Sequence, residues 1–488
     1  MIAVFISADT EAAMKPALVP YPRKITYIGG VSRVTQDTPV FASPGGSHGG
    51  EGYSLSVDNG KVHIEYSAPA GEFYARRTLQ RIIDTCGGEC DNLVIEDSPV
   101  LEFRSFMIDS CRHFYGKDEL KKLIDTAAEF RFNKFHWHLT DDQGWRVEIK
   151  KYPLLTEIGS VRKDSTFGGV IEGKEHGGFF TQEDISEIVA YCAQRHIEII
   201  PEVDIPGHFT AALAAYPQFG CKGEAPEIKT LQGIFANVLC AGNDDAVRFA
   251  KDILDEICAL FPGRYIHIGG DEAPRTHWEE CEKCSAKARE LGENGYDKLQ
   301  GKLMKELADY LAGKGKKAIT WNESLKGGII QPGDVTVQRW MDNKNLCSAF
   351  AQAGGEIIES DFYHYYCDYP YGMTPLKKTF SYNPYAKCGD AVKGIEAPIW
   401  TEYIRTFDDL CQKLYPRAAA AAERAWSGYP SRRYKDFESD FIRLIPLLEK
   451  SGISQLPNAK WNLPFYSRLG DILGFFRGSI LSFLHHDD

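Results

Sequence analysis

The chain has 488 residues and carries 56 Lys and Arg against 68 Asp and Glu, a net charge of −12. That sign opposes the basic footprint with which nucleic-acid binders meet phosphate, and no apolar run approaches the roughly 18–20 residues needed to cross a bilayer. Hydrophobic residues at 43% and charged residues at 25% exclude wholesale disorder and coiled coil.

The first residues, Met1-Ile2-Ala3-Val4-Phe5-Ile6-Ser7-Ala8-Asp9, lack a basic region, and their apolar stretch is shorter than the usual ~7–15 residues. They read at most as the stump of a signal peptide. From about Pro16 to Asp97, short extended segments alternate with turns. Asp58-Asn59-Gly60 joins two alternating runs, 53–57 and 62–66, as a hairpin. A helical stretch follows around Phe73, Tyr74, Leu79, Ile82 and Ile83. Residues 1–99 are therefore expected to form a small α+β domain.

Beyond residue 100 the texture changes to apolar runs alternating with amphipathic helices, the pattern of βα units around a parallel sheet. The runs are 103–110, 132–140, 197–205, 265–272, 317–323, 335–341, 356–363 and 394–400. Leu120, Leu123, Ile124, Ala127 and Ala128 form a helical stripe after the first run. Thr181-Gln182-Glu183-Asp184 resembles a capping signature after the second, and Val247, Ala250, Leu254, Ile257 and Phe261 give the helix after the third. Only the seventh repeat shows no clear helix. Eight alternations predict a (β/α)8 TIM barrel over 100–428. Residues 429–488 read as a short helical extension packed on it, around Phe437, Phe441, Leu444, Ile445, Leu447 and Leu448.

The 13 cysteines are too sparse for a small-protein disulfide scaffold. Cys192 and Cys258 read as core thiols, and Cys221 and Cys240 flank one loop that a disulfide could bridge. Cys281-Glu282-Lys283-Cys284 supplies only half of a structural zinc site, and Cys86 and Cys90 lie far off in sequence. Ordinary thiols or a bridge are the simpler expectation for the pair, and the redox compartment stays open.

Barrels of this kind place their active sites at the C-terminal ends of the strands. The residues expected there are Asp109, Arg112 and His113; His138, Asp141 and Asp142; Asp204 and His208; Asp271 and Glu272; Trp321 and Glu323; Trp340; Tyr366 and Asp368; and Trp400 and Glu402. Singly, each has a plainer reading. A strand-end Asp usually caps a helix, a barrel Trp is usually core, and His138 reads as a satisfied structural histidine. Gly269-Gly270 is no phosphate loop, and the sequence motifs of zinc proteases and serine hydrolases are absent. Together, however, carboxylates, an Arg, imidazoles and three of the eight Trp converge on one rim. Aromatic rings pack on the C–H faces of a sugar while carboxylates and Arg bind its hydroxyls. Glycosidic cleavage needs a carboxylic acid to protonate the leaving oxygen, and Glu272 is the best candidate because adjacent Asp271 disfavours its ionisation.

Asp109-Ser-Cys-Arg-His113, the segment His136 to Trp145, Glu202-Val-Asp-Ile-Pro-Gly-His208 and His267-Ile-Gly-Gly-Asp-Glu272 closely resemble the family 20 glycoside hydrolases. So do Trp321-Asn-Glu323, Tyr366-Cys-Asp368, Trp400-Thr-Glu402 and the tail from Tyr415 to Trp426. The resemblance covers nearly the whole chain in order. It implies an exo-acting β-N-acetylhexosaminidase that retains configuration through substrate assistance, an exception to the two-carboxylate scheme. Glu272 would be the general acid/base. Asp271 would hold the 2-acetamido group, whose carbonyl oxygen attacks the anomeric carbon to form an oxazolinium ion, and Tyr366 would donate to that oxygen. Asp141 and His208 would relay to Glu272. Arg112 and Glu402 would grip the 3- and 4-hydroxyls, Asp368 the outer hydroxyls, and Trp321, Trp340 and Trp400 would wall the pocket.

No cofactor and no catalytic metal are implied. The expected partner is a glycan or oligosaccharide, with no nucleic acid and no membrane insertion; a homodimer stays open. A glycan-degrading enzyme is expected in the periplasm or outside the cell. Two alternatives remain: a non-catalytic sugar-binding protein, disfavoured because every expected catalytic position is filled, and a disaccharide-releasing enzyme shaped by insertions at 167–178 and 367–387.

Overall fold

The computed structural model describes residues 15–45 and 49–484, so the N-terminal segment read above for export lies outside the described residues. The chain divides into two compact units. One comprises the residues up to Val100 with Trp426–Lys450, the other Leu101–Ala425 with Ser451–Asp488. The C-terminal stretch expected as one extension on the barrel is thus divided. The helix Tyr434–Lys450 buries Phe437, Phe441, Leu444 and Leu448 and belongs with the first unit. Its Arg443 guanidinium donates to the carbonyls of Lys15 and Thr85.

The first unit is a five-stranded sheet covered by one helix, Pro69–Cys86. The strands Lys24–Arg33, Val40–Pro44, Tyr53–Asp58, Lys61–Tyr66 and Glu89–Asp97 lie in the order first, fifth, third, fourth, second. The hairpin turns at Asn59 and Gly60, both at positive φ (48° and 69°), as a tight two-residue turn requires. Alternation then sends Tyr53, Leu55 and Val57 inward against Tyr74, Leu79 and Ile82 of the helix. Trp426 completes this core. Its ring meets Tyr74 edge-on at 5.1 Å, and its indole N–H donates to Asp97 Oδ1 at 2.9 Å.

In the second unit eight strands overlap the eight expected runs: Phe103–Asp109, Lys134–His138, Glu198–Glu202, Tyr265–His267, Lys317–Trp321, Thr336–Arg339, Glu356–Glu359 and Val392–Ile399. All neighbours are parallel and the eighth pairs with the first, so the barrel closes. Phe103, Ile200, Ile319 and Ile358, one from each odd strand, form an apolar layer, the layering that barrel geometry dictates. Toward the strands' C-terminal ends the interior turns polar. Register sets Asp109 opposite His138, His138 opposite Glu202, and Glu202 opposite His267.

The predicted helices form at Lys117–Glu129, Gln182–Ala193 and Asp244–Leu260. The second of these starts on the expected reciprocal cap between Thr181 and Asp184. The seventh connection holds the short helix Leu376–Ser381 and a 3-10 turn, Gly389–Ala391. The fifth repeat departs from expectation: Trp321 and Thr336 are joined by a 3-10 turn, Asn322–Leu325. Gly327-Gly328 and Pro332-Gly333 break the remainder.

Because Trp426 is fully buried and its loss would also strip Asp97 of the indole donor, Trp426→Ala is expected to cost about 3–5 kcal/mol. Urea unfolding measures this; a loss below about 1 kcal/mol, the scale of an ordinary surface substitution, would contradict the assigned core.

Candidate active site

At the C-terminal mouth of the barrel lies a cavity lined by Arg112, His208, Asp271, Glu272, Trp340, Phe362, Tyr366, Tyr369, Trp400 and Glu402. Eight of these ten are rim residues expected from the sequence, and they come from six of the eight strand ends.

Asp141 sits behind the cavity with no exposed side-chain surface. Its Oδ2 receives the Arg112 guanidinium at 2.8 Å and lies 2.8 Å from His138 Nε2. Its Oδ1 is 3.3 Å from His208 Nδ1, which is also 3.2 Å from Asp142 Oδ2. Those two contacts are close but poorly directed, since Nδ1 has no aligned hydrogen bond. Burial alone would raise the Asp141 carboxyl, but Arg112 and His208 hold it well below the usual range. Burial likewise opposes charge on His208, yet Asp141 leads the neighbours that hold its imidazole well above the ordinary histidine value. The far side of that ring, Nε2, is 3.5 Å from Glu272 Oε2 and 3.9 Å from Asp271 Oδ2. His138 is, as expected, a structural histidine, held between Asp141 and Glu202.

The acidic pair is aimed by its backbone. Gly269 and Gly270 have φ of 66° and 102°, and Glu272 itself is at 40°, a region that non-glycine residues enter at some cost in strain and mainly at functional sites. A Cβ on Gly269 would fall 1.7 Å from Asp204 Oδ1, and one on Gly270 would fall 2.1 Å from Ser324 Oγ. Only glycines allow the strand end to close over Asp204, whose Oδ1 accepts the Gly270 N–H at 3.2 Å. Asp271 is buried, and its Oδ1 finds no donor among the described residues. Burial first, then the nearby Asp204, pushes its carboxyl well above the ordinary range; burial does the same to Asp204. Glu272 is the more open of the pair, its side chain 30% exposed.

Aromatic rings close the remaining sides. Trp340 and Tyr366 stack at 6.2 Å, and Phe362 lies 5.3 Å from Tyr366. Burial drives the Tyr366 hydroxyl well above its ordinary value, so it stays protonated and able to donate. Trp340 Nε1 donates to Glu323 at 2.9 Å, which fixes the ring. Trp400 lies under the Arg112 guanidinium at 5.0 Å. Arg112 NH1 is 3.8 Å from Glu402 Oε1. Asp368 is buried, and burial plus the charge of Glu402 push its carboxyl up to about 7. Its Oδ1, like that of Asp271, has no hydrogen-bond donor among the described residues.

Not every expected residue reaches the cavity surface. Asp141 and Asp368 lie behind it. Trp321 is only 1% exposed; its indole N–H is spent on Glu202 at 2.8 Å, and its ring supports Trp400 from 6.1 Å away. His113 turns aside to Glu172 at 3.0 Å, within the first insertion. Conversely, Phe362 and Tyr369 line the cavity and were not singled out. Their only sequence signal is the aromatic density between Phe362 and Tyr371.

The family model for the glycosyl hydrolase family 20 catalytic domain matches residues 101–429, and that for domain 2 of the same family matches 42–98. A beta-hexosaminidase of Porphyromonas gingivalis is 36% identical over 82% of this chain, which spans only 56% of that protein. Another, of Akkermansia muciniphila, is 31% identical over 89% of this chain and 91% of its own length. A crystal structure of a beta-N-acetylhexosaminidase superposes with a TM-score of 0.84 at 28% identity, over 92% of this chain and 98% of that one. With a family model covering the whole barrel and the rim residues gathered on one cavity, the chain belongs to glycosyl hydrolase family 20.

Proposed function

We propose that this chain is an exo-acting, retaining glycoside hydrolase that releases terminal β-linked N-acetylhexosamine, GlcNAc or GalNAc, from the non-reducing ends of glycans. The observation that carries the reading is a buried carboxylate oxygen with no donor among the described residues, Asp271 Oδ1, beside the more open Glu272 in a cavity walled by Trp340, Tyr366 and Trp400. A pocket at the barrel mouth with Arg112 and Glu402 together at one side suits one terminal sugar rather than a chain running through.

In this mechanism the 2-acetamido carbonyl oxygen attacks C1 while Glu272 delivers its proton to the departing glycosidic oxygen. The bond from C1 to the aglycone breaks and an oxazolinium ion forms. Because nucleophile and electrophile share one molecule, little entropy is lost in bringing them together. Asp271 accepts the acetamide N–H and offsets the positive charge that develops on nitrogen. With the proton of the buried acidic pair on Asp204, Asp271 is free to act as the anion. Tyr366 donates to the acetamide oxygen. Water then attacks C1, Glu272 takes a proton from it, the ring reopens and configuration is retained. His208, charged and backed by Asp141, orients the Glu272 carboxyl. Arg112, Glu402 and Asp368 bind ring hydroxyls, with Asp368 Oδ1 as an acceptor, and the indoles exclude water from the intermediate.

Glu272→Gln should lower kcat on a natural disaccharide by roughly 10²–10⁴-fold, measured as released monosaccharide; an unchanged rate would reject it as the acid. Asp271→Asn should depress turnover of N-acetyl substrates while leaving the fold intact by circular dichroism, and full activity would eliminate substrate assistance. A third expectation concerns stability. The Asp368 carboxyl is held up to about 7 against about 4 in an unfolded chain. The stability its protonation provides is complete below about pH 4 and is lost as pH rises through 7. Asp368→Asn, which cannot titrate, should therefore gain melting temperature relative to the parent across that interval and hold the gain above it. A difference that is flat or falls with pH would contradict the assignment.

A further inference from the structure

The sequence offers Cys281 and Cys284 as half of a metal site and Cys221 and Cys240 as the flanks of one loop. Folding brings all four together. Cys221 and Cys240 are free thiols, not bridged, and their sulfurs join those of Cys281 and Cys284 in a cluster whose members all lie within 4.8 Å of one another. The separations Cys221–Cys284, Cys240–Cys281 and Cys240–Cys284 are 3.8, 3.8 and 3.6 Å. Four thiolates set tetrahedrally at the zinc–sulfur distance of about 2.3 Å would have sulfurs about 3.8 Å apart. The surrounding backbone is built to the same end. Cys281 precedes the helix Glu282–Glu290, and Cys284 lies in its first turn, where the helix dipole favours thiolate. The Gly242 N–H donates to Cys284 Sγ at 3.2 Å. A Cβ on Gly242 would fall 2.4 Å from the backbone nitrogen of Cys284, so the loop beyond Cys240 rests directly on the C-x-x-C turn. The buried His and carboxylate clusters elsewhere in the barrel are linked by strong mutual hydrogen bonds, such as His138 to Asp141 and Glu202. Four sulfurs give one another only weak ones.

We propose that Cys221, Cys240, Cys281 and Cys284 bind one zinc ion tetrahedrally as a structural site. Its position gives it a task. Cys221 and Cys240 close the loop that follows the third strand and carries His208. Cys281 and Cys284 follow the fourth strand, nine and twelve residues beyond Glu272. The same two segments already touch through Leu239 N–H to Pro206 O at 2.9 Å and Trp278 Nε1 to Leu239 O at 2.9 Å. Zinc would lock them and so fix the separation between His208 and Glu272.

The full chain, purified reduced and without added metal, should contain about one zinc per chain by mass spectrometry of the ions. Replacing zinc by Co²⁺ should give the strong visible bands of a tetrahedral cobalt–thiolate centre. Native alkylation should spare these four cysteines until a chelator with mild denaturant frees the metal. Cys281→Ser and Cys284→Ser should lose the metal, whereas Cys258→Ser, outside the cluster, should keep it. The wild-type cobalt spectrum decides the matter even if the serine variants fail to fold. A chain without zinc that gives no cobalt–thiolate bands overturns the proposal, whether its four cysteines prove to be paired in disulfides or freely alkylated.

Discussion

One buried carboxylate, Asp141, joins the parts of the candidate site that have different tasks. It neutralises Arg112, which lines the cavity, and it supports the charge on His208, which meets Glu272. A carboxylate with no exposed side-chain surface could not stay ionised alone, because desolvation of a single charge costs several kcal/mol. Two cations, and a second imidazole in His138, make the anion the stable form. The dependence is mutual, since Arg112 and His208 are themselves buried and need Asp141 to remain charged. Removing one member of such a group leaves an uncompensated buried charge, which typically costs about 3–5 kcal/mol. The arrangement is therefore fixed before any substrate arrives.

Around that fixed charge the barrel supplies positions rather than flexibility. Strand register lines up Asp109, His138, Glu202 and His267 in one polar layer, and the rim of the cavity stands on it. Glu202 is engaged by His138, His267 and Trp321. The indole beneath Trp400 is thus held by the same network that orients Asp141. The turn at Gly269, Gly270 and Glu272 takes glycine alone at its first two positions, where a Cβ would meet Asp204 or Ser324. Glycine takes positive φ without penalty, so the strain falls on Glu272 and amounts to about 1–3 kcal/mol.

Much of this was legible in the sequence because the barrel repeats a simple rule. Alternating apolar runs and helical stripes located eight strands, and polar residues at the run ends gave most of the cavity lining. What was not legible depends on distance in sequence or on ambiguity of type. Cys221 and Cys284 are 63 residues apart, and nothing local announces that four sulfurs will meet. Phe362 and Tyr369 stand in a stretch so rich in aromatics that nothing local marks them beside Tyr366. Trp426 comes directly after the barrel's residues in sequence, yet it belongs to the first unit, whose core its ring completes. The fifth repeat looked like the rest because its strand is well formed. Its missing helix shows only in the glycines and proline between Trp321 and Thr336.

In the proposed reaction the sugar's own amide is the nucleophile, steadied by Asp271 while Glu272 moves a proton. Fluorination of the acetamide tests it directly, because each fluorine withdraws electrons from the carbonyl oxygen and barely alters its size. Measured as kcat/KM on aryl β-N-acetylglucosaminides carrying zero, one, two and three fluorines, rates should fall steeply and monotonically. A series whose rates are the same within error would mean that the amide oxygen does not attack, and the mechanism would have to be abandoned.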